Sequence, residues 1–110
     1  MTILKIDKEY KMNSIFRYPL ELKETQEILI NSLPKEDSLA TYRARDQIIK
    51  VGSIREIPSI WCIVNPNAPK IKLKLKLYGT GWDSPKAKPE NYLGSFTIMD
   101  SEIYHIFIDE

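Results

Sequence analysis

The segment Lys70-Ile71-Lys72-Leu73-Lys74-Leu75-Lys76-Leu77 decides the fold class of this chain. Successive side chains of a β-strand point to opposite faces, so a period of two puts the four lysines on one face and the four aliphatic residues on the other. A helix would spread both sets around its circumference. The pattern therefore predicts a strand of an antiparallel sheet, with one face in water and the other in a core.

Other apolar segments along the chain are bounded by proline, glycine, asparagine or charged residues, as short strands are. Together with the lysine strand they make seven predicted strands with few helix signals. We expect a mainly β domain, either a compact antiparallel β-sandwich or a partly open barrel. One short helix at 35–46 is compatible with the pattern. The other six segments are Ile15–Leu22, Thr25–Ile30, Gln47–Val51, Ile57–Val64, Tyr92–Ile98 and Ile103–Ile108.

The order of the segments suggests some of their neighbours. Only a short polar break, Lys23-Glu24, separates the first two strands, so we expect them to form a hairpin. Pro19 cannot donate a ladder hydrogen bond, which places its strand at a sheet edge or on a bulge. Ile57–Val64 is the most apolar segment and is expected to be a central strand. Within it we expect a core tryptophan at Trp61 and a buried thiol at Cys62.

Length and composition limit the class of protein. A chain of 110 residues is large enough for one core, and we expect a single β domain at 12–110 after an N-terminal extension at 1–11. With 28% charged and 43% hydrophobic residues, wholesale disorder is excluded. No apolar run approaches the ~20 residues that span a bilayer. One cysteine and one histidine leave no zinc set and no intrachain disulfide, so we expect no metal, no cofactor and a reducing cytoplasm.

Charge is unevenly distributed although the net charge is only +1. The segment 70–88 holds six lysines and one acid, whereas 90–110 holds five acids and no lysine or arginine. We expect the basic strand and the acidic segment to lie side by side, with opposite charges paired across the strands. The alternative is that they form separate basic and acidic faces for a partner.

The candidate ligand loop follows the lysine strand and consists of Tyr78, Gly79, Thr80, Gly81, Trp82 and Asp83. A phosphate loop would need a helix after the glycines, but Asp83-Ser84-Pro85 follows instead. We therefore expect a tight turn that uses a positive φ, and a ligand-contact loop is the alternative. Tyr78, Trp82 and Tyr92 are the aromatic residues expected to be exposed.

No combination of residues predicts catalysis. His105 alternates with apolar neighbours in its strand, and no Ser/His/Asp order or metal-ligand spacing accompanies it. A structural or surface histidine is the simpler interpretation. We expect no catalytic residues and no enzyme.

The chain contains five short motifs, which begin at Phe16, Ile60, Tyr78, Tyr92 and His105. Together they give it a resemblance to a family of small proteins of unknown function encoded by bacteriophages and prophages. The family's pattern has a Tyr-Pro-Leu opening, a Trp-x-x-Val-Asp-Pro strand, a Gly-Thr-Gly loop, a Tyr-x-Gly-x-Phe strand and a His-x-Phe terminus. The resemblance implies an accessory protein of a mobile element, of the kind that includes anti-CRISPR and other anti-defence inhibitors. Asn65 departs from the family's Asp, and residues 36–46 resemble an insertion. The matching motifs are Phe16–Leu20, Ile60–Pro66, Tyr78–Gly81, Tyr92–Phe96 and His105–Phe107.

We therefore expect a non-enzymatic protein in the host cytoplasm that binds and inhibits a host protein complex. One alternative is a small-molecule or nucleotide sponge that uses the loop, and another is a nucleic-acid-binding accessory protein. Four lysines would give nucleic acid only modest, salt-sensitive affinity. Homodimer formation through a sheet edge is compatible with the pattern, and no membrane association is expected. The expected partner-binding residues are Lys70, Lys72, Lys74, Lys76, Trp82 and Tyr92.

Overall fold

A computed structural model describes residues 13–33 and 43–109, which form seven strands and two short 3₁₀ helices. The mainly β prediction is confirmed. The helices span Ala44–Gln47 and Pro89–Asn91. The strands are β1 (Ser14–Pro19), β2 (Thr25–Asn31), β3 (Ile48–Ile54), β4 (Ile57–Val64), β5 (Lys70–Gly79), β6 (Tyr92–Ile98) and β7 (Glu102–Ile108).

The strands form two antiparallel sheets that pack face to face. One sheet has three strands in the order β1-β4-β3, and the other has four in the order β2-β5-β7-β6. The described strands do not close into a barrel, so the sandwich is the correct alternative. The inner faces supply one shared core, which includes Ile60, Cys62, Val64, Leu73, Leu75, Leu77, Phe96, Ile98, Ile106 and Ile108.

Strand β5 has the two faces that its sequence predicts. Leu73, Leu75 and Leu77 are almost fully buried in the core. Of the four lysines on the outer face of the strand, three are exposed and Lys76 is partly buried. Burying a leucine side chain contributes about 1.5–3 kcal/mol, so these three residues strongly favour this orientation of the strand. Shifting the strand by one residue would put lysines in the core.

Strand β4 occupies the centre of the three-stranded sheet, as predicted. Cys62 on its inner face is fully buried, and burial raises the pKa of its thiol to about 12. Trp61 does not lie in the core, so this expectation is wrong. It lies on the outer face and is only partly buried, because alternate residues of β4 face the core and the second sheet covers one side of the strand only.

The predicted β1–β2 hairpin is wrong. β1 pairs with β4, and β2 pairs with β5 in the opposite sheet. The connection between them crosses from one sheet to the other, with Leu20 buried on the way. Buried Gln26 stabilises it by donating to the Glu21 carbonyl at 2.8 Å and accepting from the Glu21 amide at 3.0 Å. The edge prediction for Pro19 is confirmed, since β1 is the outermost strand of its sheet.

The first 3₁₀ helix lies against both sheets. Its last residue, Gln47, is 1% exposed, and its side-chain amide donates to the Asn31 carbonyl at 3.0 Å and to the Ile63 carbonyl at 2.9 Å. Residues 34–42, most of the predicted helix at 35–46, lie outside the described residues. The proposed extension at 1–11 lies outside them too.

Candidate functional site

The lysine side chains of β5 form a row on the outer face of the four-stranded sheet, which we call the lysine face. Within this row, Lys72 Nζ lies 3.4 Å from Glu27 Oε1, and Lys76 Nζ donates to Thr25 Oγ1 at 2.7 Å. In the described part of the chain, Lys70 and Lys74 form no ion pair. The lysine face therefore carries positive charge that strand β2 only partly offsets.

The expected pairing between the basic strand and the acidic segment holds for the backbone but not for the charges. β5 does pair with β7, yet Phe107 is opposite Lys76 and His105 is opposite Tyr78. The carboxylate that binds a lysine of β5 is Glu27, from the strand on the other side. Charge counts over single segments do not predict that β2, rather than β7, supplies this carboxylate, because β2 and β5 are far apart in sequence.

Tyr78 is buried rather than exposed, so this expectation is wrong. β5 and β6 run parallel on either side of β7, so the connection between them must return along the sheet. Within this connection the Lys86 amide donates to the Tyr78 hydroxyl at 3.2 Å. The Tyr78 ring contacts Phe107, with 5.9 Å between centroids, and is 1% exposed. The connection thus covers part of the outer face beside the lysines.

Tyr92 and Trp82 are both exposed, at 44% and 48%, as expected. They do not share a surface. Tyr92 lies on the outer face, where its ring is 5.4 Å from Phe107. Trp82 packs edge-on against Tyr104 at 5.9 Å, on the opposite side of the sheet. Only Tyr92 can therefore act together with the lysines in one flat contact.

The loop after β5 is a tight turn, as predicted. The Trp82 amide donates to the Gly79 carbonyl at 3.0 Å, and Gly81 has a φ of 91°, which favours glycine. The Trp82 ring lies against Gly79 so closely that a Cβ there would be 2.6 Å from two ring atoms. Beside the ring is a cavity of about 270 Å³, lined by Gly79, Thr80, Trp82 and Ser101–Tyr104.

Thr80 and His105 form the pair that most resembles catalytic machinery. Thr80 Oγ1 lies 2.9 Å from His105 Nε2 and 3.2 Å from the Ile103 carbonyl oxygen. A carbonyl can only accept, so both hydrogen bonds form together only when Nε2 carries a proton and donates. In that arrangement the histidine cannot act as a base toward the threonine hydroxyl. The geometry is that of a structural hydrogen bond.

Three further features limit the chemistry of the cavity. The Tyr104 hydroxyl donates to Glu102 Oε1 at 3.1 Å, and this bond raises the pKa of Tyr104, with smaller contributions from desolvation and from the carboxylate charge. Among residues 13–33 and 43–109, no group of three or more His, Cys, Asp or Glu side chains could hold a metal ion. No cation lines this cavity, so the loop offers a phosphate no positive partner.

Comparison with protein families matches residues 12–110 to a domain of unknown function, DUF7352. The chain belongs to the DUF7352 family. The match covers all the described strands, including both exposed sheet faces. Comparisons with curated proteins and with solved structures give no match. Within its described residues, this protein has no helix that is long and apolar enough to cross a membrane.

Sequence reasoning missed the outer face of the three-stranded sheet. In the register of this sheet, Arg17 and Lys50 lie on either side of Trp61. One signal was available in the sequence: the three strand segments contain both cations and no aspartate or glutamate. That signal has meaning only once β1, β3 and β4 are known to be neighbours.

Proposed function

We propose that this protein is a non-catalytic binding protein that occupies an acidic surface of a partner protein through its lysine face. The observation that carries the proposal is the row of Lys70, Lys72, Lys74 and Lys76 on a rigid strand, with three of the four ammonium groups lacking an ion pair among the described residues. Rows of like charge steer an oppositely charged partner and fix its orientation. Exposed Leu29 and Tyr92 provide apolar contacts on the same face.

The resemblance to phage and prophage proteins supports the finer proposal that the partner is a host defence complex in the host cytoplasm. A small rigid protein can inhibit such a complex by blocking its surface or its assembly, with no chemical step. This agrees with the Thr80–His105 geometry, in which both hydrogen bonds of the threonine hydroxyl form together only when the histidine donates. We propose no cofactor and no catalytic residue.

The experiment is affinity capture from host cells with the full chain and two charge-reversed variants. Lys70→Glu with Lys74→Glu changes the lysine face, and Lys23→Glu with Arg55→Glu makes the same charge change in the β1–β2 connection and the β3–β4 turn. We expect the first variant to lose the captured complex and the second to keep it. Equal recovery with both variants, at matched thermal stability, would contradict the proposal. Capture of nucleic acid alone, with affinity falling steeply with salt, would replace it by the nucleic-acid alternative.

A second candidate, binding of a small phosphate-bearing molecule, is favoured by a separate cavity of about 200 Å³ beside β5. Its lining includes Arg45, Lys72 and Lys74, with Asp109 as the single acid. The Arg45 guanidinium is positioned by the carbonyls of Glu90 and Tyr92, at 2.6 and 3.2 Å. Three cations around a small cavity suit a phosphate better than the Gly79–Asp83 loop does.

Thermal unfolding with a panel of nucleotides and phosphate monoesters distinguishes the two candidates. A ligand at about 100 times its dissociation constant adds about 2.7 kcal/mol to the free energy of unfolding. A shift that Lys74→Ala removes would support the small-molecule candidate. No shift across the panel would leave the protein partner as the proposal.

A further inference from the structure

The outer face of the three-stranded sheet is unusually apolar for a surface that nothing in the described chain covers. Its five large apolar residues, which define the isoleucine face, are Ile15, Ile54, Ile57, Trp61 and Ile63. Ile15 is 61% exposed, and Ile54 and Ile57 are each more than 40% exposed. These residues alternate with the inward residues of the same strands, so they are the regular outer positions of a flat sheet. Exposed apolar side chains gathered on one sheet face are typical of a site of interaction.

A row of three side chains crosses the centre of the isoleucine face. Arg17 of β1 and Lys50 of β3 both pair with Trp61 of β4. Lys50 Nζ lies 4.8 Å from the centroid of the indole ring, and Arg17 Nη1 donates to buried Ser59 at 2.9 Å. The ring also lies over Gly52, where an added Cβ would be in ordinary contact with it, 3.5 Å from its nearest atom. The aromatic ring and both cations are thus held in place by neighbours on the same sheet.

Charge determines which occupant the isoleucine face suits. The three strands carry Arg17 and Lys50 and no carboxylate. A twofold contact between two copies would bring these cations together with no acid on the face to offset them. Nucleic acid is a poorer match, because two cations neutralise few phosphates and isoleucine side chains form no hydrogen bonds with bases. An acidic protein segment with apolar side chains complements both the charge and the apolar area.

We propose that the isoleucine face is a second docking surface, which binds an acidic, apolar segment of a partner protein against Trp61, Arg17 and Lys50. It lies on the opposite side of the sandwich from the lysine face, and so it is independent of the proposed function. With both faces occupied, the protein would hold two acidic surfaces apart or join them. Trp61 is the central anchor, with a cation on each side. Ile15 and Ile63 lie in the next row of the sheet, and Ile54 and Ile57 lie two rows away on the other side.

The experiment is methyl NMR of the full chain labelled at isoleucine, titrated with two synthetic peptides. In one peptide leucine alternates with glutamate, and in the other leucine alternates with lysine. We expect the glutamate peptide to shift the methyl signals of Ile15, Ile54, Ile57 and Ile63. The signal of Ile103, which is exposed to a similar extent but lies in the other sheet, is the internal control. We expect no saturable shift with the lysine peptide.

A pair of variants tests the charges. Lys50→Glu should weaken binding of the glutamate peptide at least about tenfold, whereas the matched reversal Lys74→Glu should not change the isoleucine-face signals. Trp82→Phe leaves Trp61 as the single tryptophan, so its fluorescence gives a second measure of the same contact. Equal binding of both peptides, shifts centred on Ile103, or no saturable shift would overturn the proposal. So would isoleucine-face shifts produced by a single-stranded oligonucleotide or by raising the protein concentration alone, since they would assign the face to nucleic acid or to a second copy.

Discussion

At the scale of single residues, close contacts explain side chains whose type the local sequence does not. Gly79 lies in a strand rather than at a position of positive φ, so its backbone does not require glycine. The position requires glycine because the Trp82 ring occupies the space that a Cβ would fill. The glycine therefore allows the tryptophan to fold back and pack on Tyr104.

Gly79→Ala should destabilise the protein by about 1 kcal/mol or more, because the added methyl displaces the Trp82 ring. In a Trp82→Ala background the same change should be neutral, or stabilise by about 0.4–1 kcal/mol through the lower entropy of the unfolded chain. Urea denaturation of the four proteins of this double-mutant cycle measures both effects. The same sign in both backgrounds would show that the ring contact is not the reason for the glycine.

Cys62 predicts how stability changes at alkaline pH. Burial raises the pKa of its thiol from the ordinary 9.0 to about 12, so the unfolded chain releases this proton first. Its contribution is therefore fully present below pH 9 and is lost as pH rises from 9 toward 12, with a slope approaching about 1.4 kcal/mol per pH unit. Cys62→Ala should flatten this part of the stability curve in denaturant titrations. An unchanged slope in the variant would assign the alkaline loss to other groups.

At the scale of elements, two buried glutamines stabilise connections in different ways. Gln26 forms hydrogen bonds inside the β1–β2 connection, to residues at most five positions away. Gln47 joins β2 to β4, at the ends of the two sheets. The second residue thus links elements that no backbone ladder connects.

Gln47→Met, which keeps the length of the side chain, should destabilise the protein by about 2–3 kcal/mol, since it removes donors from the carbonyls of Asn31 and Ile63. Gln26→Met is the matched control and should cost less, because the carbonyls of a surface connection can turn to water. Thermal and urea unfolding of both variants checks the order. A larger loss for Gln26→Met would mean that the β1–β2 connection, rather than the Gln47 hydrogen bonds between β2 and β4, limits stability.

At the scale of the whole molecule, the two sheets share one core and should unfold together. The two tryptophans lie on different sheets, Trp61 on the outside of one and Trp82 at the end of the other. Trp61→Phe and Trp82→Phe each leave one fluorescent probe. We expect both probes and far-ultraviolet circular dichroism to give the same urea midpoint. An earlier transition at Trp61 would show that the three-stranded sheet opens separately.

Local patterns along the chain are enough to predict the class of fold, the two faces of β5, the central position of β4, the burial of Cys62 and the turn at Gly79–Trp82. Alternation, apolar content and turn residues are local properties, and they act within a few residues whatever the chain does elsewhere. They are therefore enough to predict that the lysines and the core leucines of β5 lie on opposite faces, without knowledge of which strands pair.

Which strands are neighbours is known only from the complete fold. In the complete fold β1 and β2 lie in different sheets, and the β5–β6 connection covers Tyr78. Trp82 and Tyr92 lie on opposite sides of their sheet, and Arg17 and Lys50 lie beside Trp61. Each of these outcomes depends on pairing between segments that are distant in sequence. Such pairing depends on how much apolar surface the complete sandwich buries. This area cannot be predicted from the pattern of any single segment.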